Sequence, residues 1–145
     1  MLYLSADRNL VESNESFANA ATGININQSA DNIVRGNRSY DNIESDIGVA
    51  QTGRNNLVER NQIRGDQQDG VQLVSEASHT TLRDNTIGEN ARYGVYVDST
   101  GPFALTGNTI FDNRTGIMLE NAAPPPPTEN RVFGNDKGDI GSATR

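Results

Sequence analysis

Four side chains in the first half of the chain combine aromatic rings with guanidinium groups. Phe17, Tyr40 and Arg64 are separated by 23 and 24 residues, and Arg38 lies two positions before Tyr40. An aromatic ring can stack on the face of a sugar, and a guanidinium can bind a carboxylate through two parallel hydrogen bonds. The four residues therefore form a candidate binding face for an acidic saccharide. A mixed surface in which Arg38 pairs with carboxylates such as Glu15 would explain the same residues without a ligand.

A second candidate patch lies further along the chain and contains Tyr93, Tyr96, Asp98 and Glu120. A tyrosine beside a carboxylate can transfer protons as an acid or a base. Packing and solvation explain these residues without catalysis, so both interpretations stay open. The single histidine, His79, is expected to be an exposed residue in the turn before a strand.

A sequence repeat must position both groups of residues. Asparagine returns at intervals of 23, 24, 24, 23 and 27 residues with the same pattern around it, at Asn14, Asn37, Asn61, Asn85, Asn108 and Asn135. A repeat of this length is typical of a solenoid, in which stacked units bury an apolar core that one unit cannot form alone.

Apolar and polar residues alternate within each repeat over short stretches, which is the periodicity of a strand. The pattern predicts three short strands per coil and four inward-facing columns of residues. The column three positions before the asparagine holds Val11, Val34, Val58, Leu82, Leu105 and Val132. The column two positions after it holds Ser16, Ser39, Ile63, Ile87 and Ile110. Two more columns follow Gly23, Gly48, Gly70, Gly94 and Gly116, namely Ile24, Val49, Val71, Val95 and Ile117, then Ile26, Gln51, Leu73, Val97 and Leu119.

Equivalent residues of successive coils should then lie about 4.8 Å apart, the spacing of paired strands. The stacked asparagines would form a ladder of amide hydrogen bonds along Asn14, Asn37, Asn61, Asn85 and Asn108. A second ladder is expected at Asn19, Asn42, Asp66, Asn90 and Asn113. Asn and Asp tolerate the left-handed backbone of a bend, which we expect at this second set. The glycines are expected to form the third corner.

The recurring motif is aliphatic-x-x-Asn-x-Ile followed by Asn-x-x-x-Gly-Ile or Gly-Val, over about residues 8–140. It resembles the repeat of the pectate-lyase-like superfamily, and of mannuronan C5-epimerases in particular. The resemblance implies an all-β fold, a right-handed parallel β-helix solenoid of about six coils of 23–24 residues. It also implies a polysaccharide-processing context and favours an extracellular location. Because this fold carries lyases, hydrolases, epimerases and adhesins, it does not fix the activity.

Motifs of the enzymes in this superfamily are missing from the sequence. The Asp-Pro-His motif of the epimerases does not occur, and the aspartates are scattered instead of clustered as in the calcium sites of pectate lyases. We therefore expect a non-catalytic carbohydrate-binding or structural unit. The alternative is a uronan C5-epimerase or lyase with an atypical active site. The sequence predicts no metal site and no cofactor.

Charge and hydropathy restrict the partners. The net charge is −7 and Lys137 is the only lysine, so nucleic acid is not expected as a partner. No apolar run is long enough to span a membrane. The absence of cysteine excludes disulfides and zinc-thiolate sites. An acidic polysaccharide is the expected ligand.

The whole chain, residues 1–145, is expected to form one domain that starts in mid-coil, with a proline-rich loop at 122–128 and a last partial coil at 129–145. Copies of the chain could associate through uncapped ends or through an outward stripe of Leu10, Ile33 and Leu57. In the outward column two positions before the repeated asparagine, acidic and basic residues alternate and are expected to pair on the surface, at Glu12, Arg35, Glu59 and Arg83.

Overall fold

The computed structural model describes residues 1–124 and 129–143, and within them the chain forms eighteen strands, β1 to β18 in chain order. They make three parallel sheets. Sheet A contains β1 (Leu2–Tyr3), β4 (Ile24–Asn27), β7 (Ser45–Ala50), β10 (Asp69–Val74), β13 (Tyr93–Asp98), β16 (Thr115–Glu120) and β18 (Ile140–Ala143). Sheet B contains β2 (Leu10–Glu12), β5 (Ile33–Arg35), β8 (Leu57–Glu59), β11 (Thr80–Arg83) and β14 (Phe103–Thr106). Sheet C contains β3 (Glu15–Phe17), β6 (Arg38–Tyr40), β9 (Gln62–Arg64), β12 (Thr86–Gly88), β15 (Thr109–Phe111) and β17 (Arg131–Phe133).

From β1 to β16 the chain runs through sheets A, B and C in turn, and every strand pairs with its equivalent one coil away. The strands are short because a turn or bend follows after two to six residues. This confirms the predicted all-β parallel solenoid with three strands per coil and about six coils. The described residues include no helix that is long and apolar enough to cross a membrane.

The predicted inward columns form most of the core. Between the first and last coils, the middle residues of the short strands and alternate residues of sheet A are buried, among them Val34, Val58, Ile63, Val71, Leu82, Ile87, Val95, Val97, Leu105 and Ile110. Counting from Gly48 assigned Val49 and Gln51 to the wrong columns. In the third coil Ile47, not Val49, pairs with Ile24 and Val71, so Val49 occupies the next column and Gln51 lies exposed outside the sheet.

The reason for this shift is that Asp46 stands where the neighbouring coils have glycine. The sequence prediction used Gly48 as the equivalent of Gly23 and Gly70, but Gly48 pairs with Asn25 and Gln72. The correct equivalent of these glycines is therefore an aspartate, which sequence alignment on glycine could not identify.

The register of the last coil was also predicted wrongly. Asn108 donates to Asn130 through both its backbone and side-chain nitrogens, at 2.9 Å each, so the ladder continues at Asn130 and not at Asn135. Val132 pairs with Ile110 and belongs to the column two positions after the asparagine. The last interval is therefore 22 residues, not 27. Residues 125–128 of that predicted loop lie outside the described residues.

The first asparagine ladder lies at the corner between sheets B and C, which we call the B/C corner. Each asparagine donates its backbone N–H and its side-chain Nδ2–H to the Oδ1 of the next, as Asn61 does to Asn85 at 3.0 Å for both bonds. The same pattern runs from Asn14 to Asn130. The inward-pointing amides are therefore satisfied, as predicted.

The left-handed residue of each bend precedes the ladder residue, which corrects the sequence prediction. Ser13, Asp41 and Asp84 have φ values of 56°, 56° and 55°, whereas the asparagines that follow them have negative φ. A left-handed residue reverses the chain direction, and the next side chain then points into the corner. Gly94 is needed for a different reason, because an added Cβ would lie 2.6 Å from Ile110 Cγ2 and 2.7 Å from the Gly116 carbonyl oxygen.

A further ladder that the sequence analysis missed lies at the corner between sheets A and B, the A/B corner. Asn9 donates to Asn32 Oδ1 through both nitrogens, and Asn32 does the same to Asn56 Oδ1 at 3.0 and 3.1 Å. Thr80 stands one coil further, at the interval of 24 residues from Asn56, and is buried. The sequence repeat does not reveal this ladder, because only three successive coils have an asparagine at this position.

The outer face of sheet B carries the predicted charge pairs. Arg35 Nε donates to Glu12 Oε1 at 2.6 Å, and Arg83 contacts Glu59 with two nitrogens. Leu10 is exposed, whereas Ile33 and Leu57 are half-buried. Association of copies through that stripe or through the ends stays a prediction. His79 is an exposed turn residue with a φ of 50° directly before β11, as expected.

Candidate functional site

The outer face of sheet C brings the four residues of the first candidate site together. In β6 and β9 the middle side chains, Ser39 and Ile63, are buried, so the first and third side chains point outward. Phe17 pairs with Tyr40, and Tyr40 pairs with Arg64, which places these three in one column. Arg38 lies in the parallel column, between Glu15 and Gln62.

Tyr40 is held from two sides. Its ring stacks on that of Phe17 with centroids 5.2 Å apart and planes 5° from parallel, and Arg38 Cζ lies 4.7 Å from its centroid. Its hydroxyl donates to Glu15 Oε1 at 3.0 Å. Desolvation and this hydrogen bond raise the pKa of Tyr40, so the phenol keeps its proton. Arg38 also contacts Glu15 at 3.4 Å, the pairing that the mixed-surface interpretation expects.

Arg64 differs from Arg38 because no described residue forms an ion pair with it. It is exposed, and it stands between two hollows of the surface. The first has a volume of about 370 Å³ and is lined by Arg38, Tyr40, Asp41, Arg64, Gly65 and Glu89. The second, of about 190 Å³, is lined by Gln62, Ile63, Arg64, Thr86 and Phe111. An accessible guanidinium beside an aromatic ring can bind a carboxylate on a flat ligand.

Sequence reasoning missed the aromatic pair at the other end of this face. Phe111 and Phe133 stack with centroids 5.9 Å apart and planes 16° from parallel. Phe111 was visible in the column of Phe17 and Tyr40, but Phe133 was hidden by the wrong register of the last coil. Sheet C therefore has an aromatic stack at each end.

The second candidate patch lies on the outer face of sheet A. Tyr96 donates its hydroxyl to Glu120 Oε2 at 2.6 Å, and its ring stacks on Tyr93 with centroids 5.4 Å apart. Asp98 accepts a hydrogen bond of 2.9 Å from Asn121 Nδ2. The structure thus brings the four predicted residues into one patch.

Arg92 completes this patch, and sequence reasoning missed it. Its Cζ lies 4.9 Å from the Tyr93 ring centroid and 5.2 Å from that of Tyr96. Arg92 Nε and Nη2 donate to the two oxygens of the fully buried carboxylate of Asp69, and that hydrogen bonding raises the pKa of Arg92. The charge of Arg92 is therefore matched within the protein, in contrast to Arg64.

Two buried carboxyl groups lie at the corner between sheets C and A, the C/A corner. Asn42 donates its backbone N–H to Asp66 Oδ1 at 2.6 Å and its Nδ2–H to Asp46 Oδ1 at 2.7 Å. Asp46 Oδ2 and Asp66 Oδ2 are buried and receive no hydrogen bond from a described donor. The charge of Asp46 acts on the carboxyl group of Asp66, and two negative charges in this buried corner are unfavourable unless one of the carboxyl groups carries a proton.

The environment favours that proton. Burial and then the charge of Asp46 raise the pKa of Asp66 to about 8. Burial raises the pKa of Asp46 to about 6, against the hydrogen bonds from Ser39 and Asn42, which lower it. Among residues 1–124 and 129–143 there is no group of three or more His, Cys, Asp or Glu side chains that could hold a metal ion.

The family model for the right-handed β-helix region matches residues 1–138. The chain belongs to the right-handed β-helix family. No curated protein is detectably similar to this β-helix in sequence.

Solved structures resemble this β-helix closely in fold. A mutant of the periplasmic alginate epimerase AlgG superposes with a TM-score of 0.94 at 23% identity, over 99% of this chain and 34% of that chain. The A-module of the Azotobacter vinelandii mannuronan C-5 epimerase AlgE4 gives a TM-score of 0.84 at 19% identity, over 90% and 37%. Pectate lyase Pel9A gives 0.69 at 15% identity, over 99% and 47%.

These similarities establish the fold of this β-helix. At identities of 15–23% they do not transfer an active site. This β-helix spans about a third of the length of the two epimerases.

Proposed function

We propose that this chain is a β-helical carbohydrate-binding unit and that the outer face of sheet C binds an acidic polysaccharide. The observation that supports the proposal is Arg64, an exposed guanidinium that no described residue neutralises, between two hollows and next to an aromatic ring. The similarity to proteins named as alginate epimerases and pectate lyase supports the ligand class.

The first hollow offers each contact that a uronic acid unit needs. Arg64 binds the carboxylate with two parallel hydrogen bonds, which is the strongest form of this contact. The Tyr40 ring, fixed by Phe17 and Arg38, provides a surface for the apolar face of the sugar. Asp41 and Glu89 line the same hollow and accept hydrogen bonds from sugar hydroxyl groups. Acidic residues beside the arginine favour a hydroxyl-rich anion over a densely charged one such as nucleic acid.

Loss of Arg64 should weaken binding strongly. Arg64→Ala removes charge-assisted hydrogen bonds worth about 1.5–3 kcal/mol, so the affinity for oligomers of mannuronate, guluronate or galacturonate should fall roughly tenfold or more. Titration calorimetry of each oligomer against wild type and variant measures this.

Arg54→Ala is the matched control, because Arg54 is exposed at the A/B corner and its loss makes the same change in charge. It should bind like the wild type. Equal affinities for the two variants would contradict the proposed face, and a wild-type protein that binds none of the three oligomers would exclude the function.

A uronan C5-epimerase or lyase that uses sheet A is the second candidate, and the hydrogen bond of Tyr96 to Glu120 favours it. A tyrosine paired with a carboxylate can move a proton at the carbon beside a uronate carboxylate. Incubation with alginate and pectate distinguishes the two candidates. Absorbance at 232 nm detects lyase products, and proton NMR detects a change in uronate stereochemistry. We expect neither, and turnover that Tyr96→Phe abolishes would establish the enzyme instead.

A further inference from the structure

The two aromatic stacks of sheet C lie in one column of residues. Tyr40 pairs with Arg64, Arg64 with Gly88, Gly88 with Phe111 and Phe111 with Phe133. At about 4.8 Å per coil, three steps separate Tyr40 from Phe111 by on the order of 14 Å along the solenoid axis. Arg64 stands between them, one step from Tyr40 and two from Phe111.

Gly88 has no side chain, so the ring of Phe111 occupies the space above it. An added Cβ at Gly88 would lie 2.7 Å from Phe111 Cζ and within 2.9 Å of Cε1 and Cε2. The ring of Phe111 thus rests on the backbone of the preceding coil, which fixes its position, and Phe133 supports it from the next coil. The second hollow extends from Arg64 to this ring.

Residues with polar side chains lie on both sides of this column. On one side lie the left-handed residues of the C/A corner, Asp41, Gly65 and Glu89, with φ values of 56°, 79° and 61°. On the other side the outward column contains Gln62 and Thr86, whose side chains can hydrogen-bond sugar hydroxyls. Each strand of sheet C has only three residues, so an extended ligand has more room along the axis than across it.

We infer that a bound acidic polysaccharide runs along the solenoid axis over sheet C, with Tyr40 and Phe111 as two stacking platforms and a uronate carboxylate on Arg64 between them. This inference rests on the proposed function and adds the direction of the ligand, its minimum length and a second platform. Phe111 determines the preference for longer oligomers, and Gly88 leaves the space in which the ring of Phe111 lies.

The test compares oligouronates of increasing length, from the disaccharide to the octasaccharide, by titration calorimetry. Wild-type affinity should rise with length until the oligomer reaches Phe111 and then level off. Phe111→Ala should bind the shortest oligomers like the wild type and lose roughly 3- to 10-fold for the long ones, the contribution of one stacked ring. Tyr3→Ala, which removes an exposed aromatic residue of sheet A, should bind oligomers of every length like the wild type.

Gly88→Ala provides a second variant in case Phe111→Ala does not fold. Its added methyl group displaces the ring of Phe111 without removing it, and the long oligomers should again lose affinity selectively. A length-dependent gain that survives in both variants, or affinity that does not rise with length, would overturn the inference and leave the proposed function standing. Absence of binding at every length would overturn both.

Discussion

The ladders at the B/C and C/A corners differ at one position, where the C/A ladder has a carboxyl group in place of an amide. The carboxyl group depends on neighbouring residues for hydrogen-bond donors, which a stack of amides does not. At the B/C corner every described coil supplies an asparagine, from Asn14 to Asn130. At the C/A corner the series Asn19, Asn42, Asp66, Asn90, Asn113 and Asn135 contains one carboxyl. An amide donates and accepts at once, so a stack of amides satisfies itself, whereas a carboxylate only accepts.

Asp66 therefore lacks the donor that its neighbours have. Asn90 donates its Nδ2–H to Asn113 Oδ1 at 2.8 Å, but Asp66 reaches Asn90 Oδ1 with its backbone N–H alone. A proton on the carboxyl group restores a donor at this position. The charges that act on Asp66 are those of Asp46 and Asp41, and both raise its pKa. Asp69, which pairs with Ser45 beside Asp46, is matched by Arg92.

The largest effect is expected from breaking the uninterrupted ladder. Asn85→Ala leaves both donors of Asn61 buried without their acceptor, and it removes the side-chain donors to Asn108 Oδ1 and to the Val58 carbonyl oxygen. At about 1–3 kcal/mol for each unsatisfied group, the free energy of unfolding should fall by about 3 kcal/mol or more. Urea unfolding measures this at pH 5 and pH 8, and the loss should be equal at both. A loss below about 1 kcal/mol would show that the ladder contributes little to stability.

A smaller effect is expected from placing a carboxyl group in the B/C ladder, as Asp66 does in the C/A ladder. Asn85→Asp keeps the acceptor for Asn61 but loses the donors to the Val58 carbonyl oxygen and to Asn108 Oδ1. At pH 8 it should lower the free energy of unfolding by about 2 kcal/mol, and by less at pH 5, where the buried carboxyl group can carry a proton. Urea unfolding at the two pH values tests this, and an equal loss at both would contradict it.

The smallest effect is expected from replacing the carboxyl group of Asp66 in the C/A ladder by an amide. The folded pKa of Asp66 is about 8, above its ordinary value of 3.8, so its contribution to stability is complete below about pH 4 and is lost as the pH rises through 8. Asp66→Asn should therefore raise the free energy of unfolding at pH 8 relative to pH 5 by at least about 1.4 kcal/mol, the equivalent of one pKa unit. Urea unfolding across this range measures the difference.

Asp84→Asn is the control for this substitution, because Asp84 is an exposed carboxylate at a left-handed bend. It should leave the pH profile of the wild type unchanged. A wild-type stability that does not fall between pH 5 and pH 8 would show that the pair at Asp46 and Asp66 does not take up a proton on folding.

The repeat predicted most of the fold because stacking forces equal residues into equal positions. The inward columns at Val34, Val58 and Leu82 and the ladder from Asn14 to Asn108 follow from spacing alone. Prediction failed where a coil replaces its marker residue, as Asp46 replaces a glycine. It also failed in the last coil, where Asn130 and Asn135 both fit the motif and only hydrogen bonding distinguishes them.

The candidate sites were predicted less completely because they combine residues of several coils. Tyr40 and Arg64 were found because they share a column. The partner of Tyr93 and Tyr96, Arg92, lies before β13, where strand alternation gives no direction for its side chain. The interaction of Asp46 with Asp66 was not visible either, since Asp46 lies in strand β7 and Asp66 lies outside the strands, between β9 and β10.

The constant register of sheet C means that its outer face grows by whole steps. Inserting one coil of 24 residues between β9 and β12 would move Phe111 further from Tyr40 by a single strand spacing, about 4.8 Å, without altering the width of the face. The number of coils then sets the length of the ligand that the face binds best. Engineered proteins with one coil more or fewer would prefer a longer or shorter oligomer while keeping the same chemical contacts.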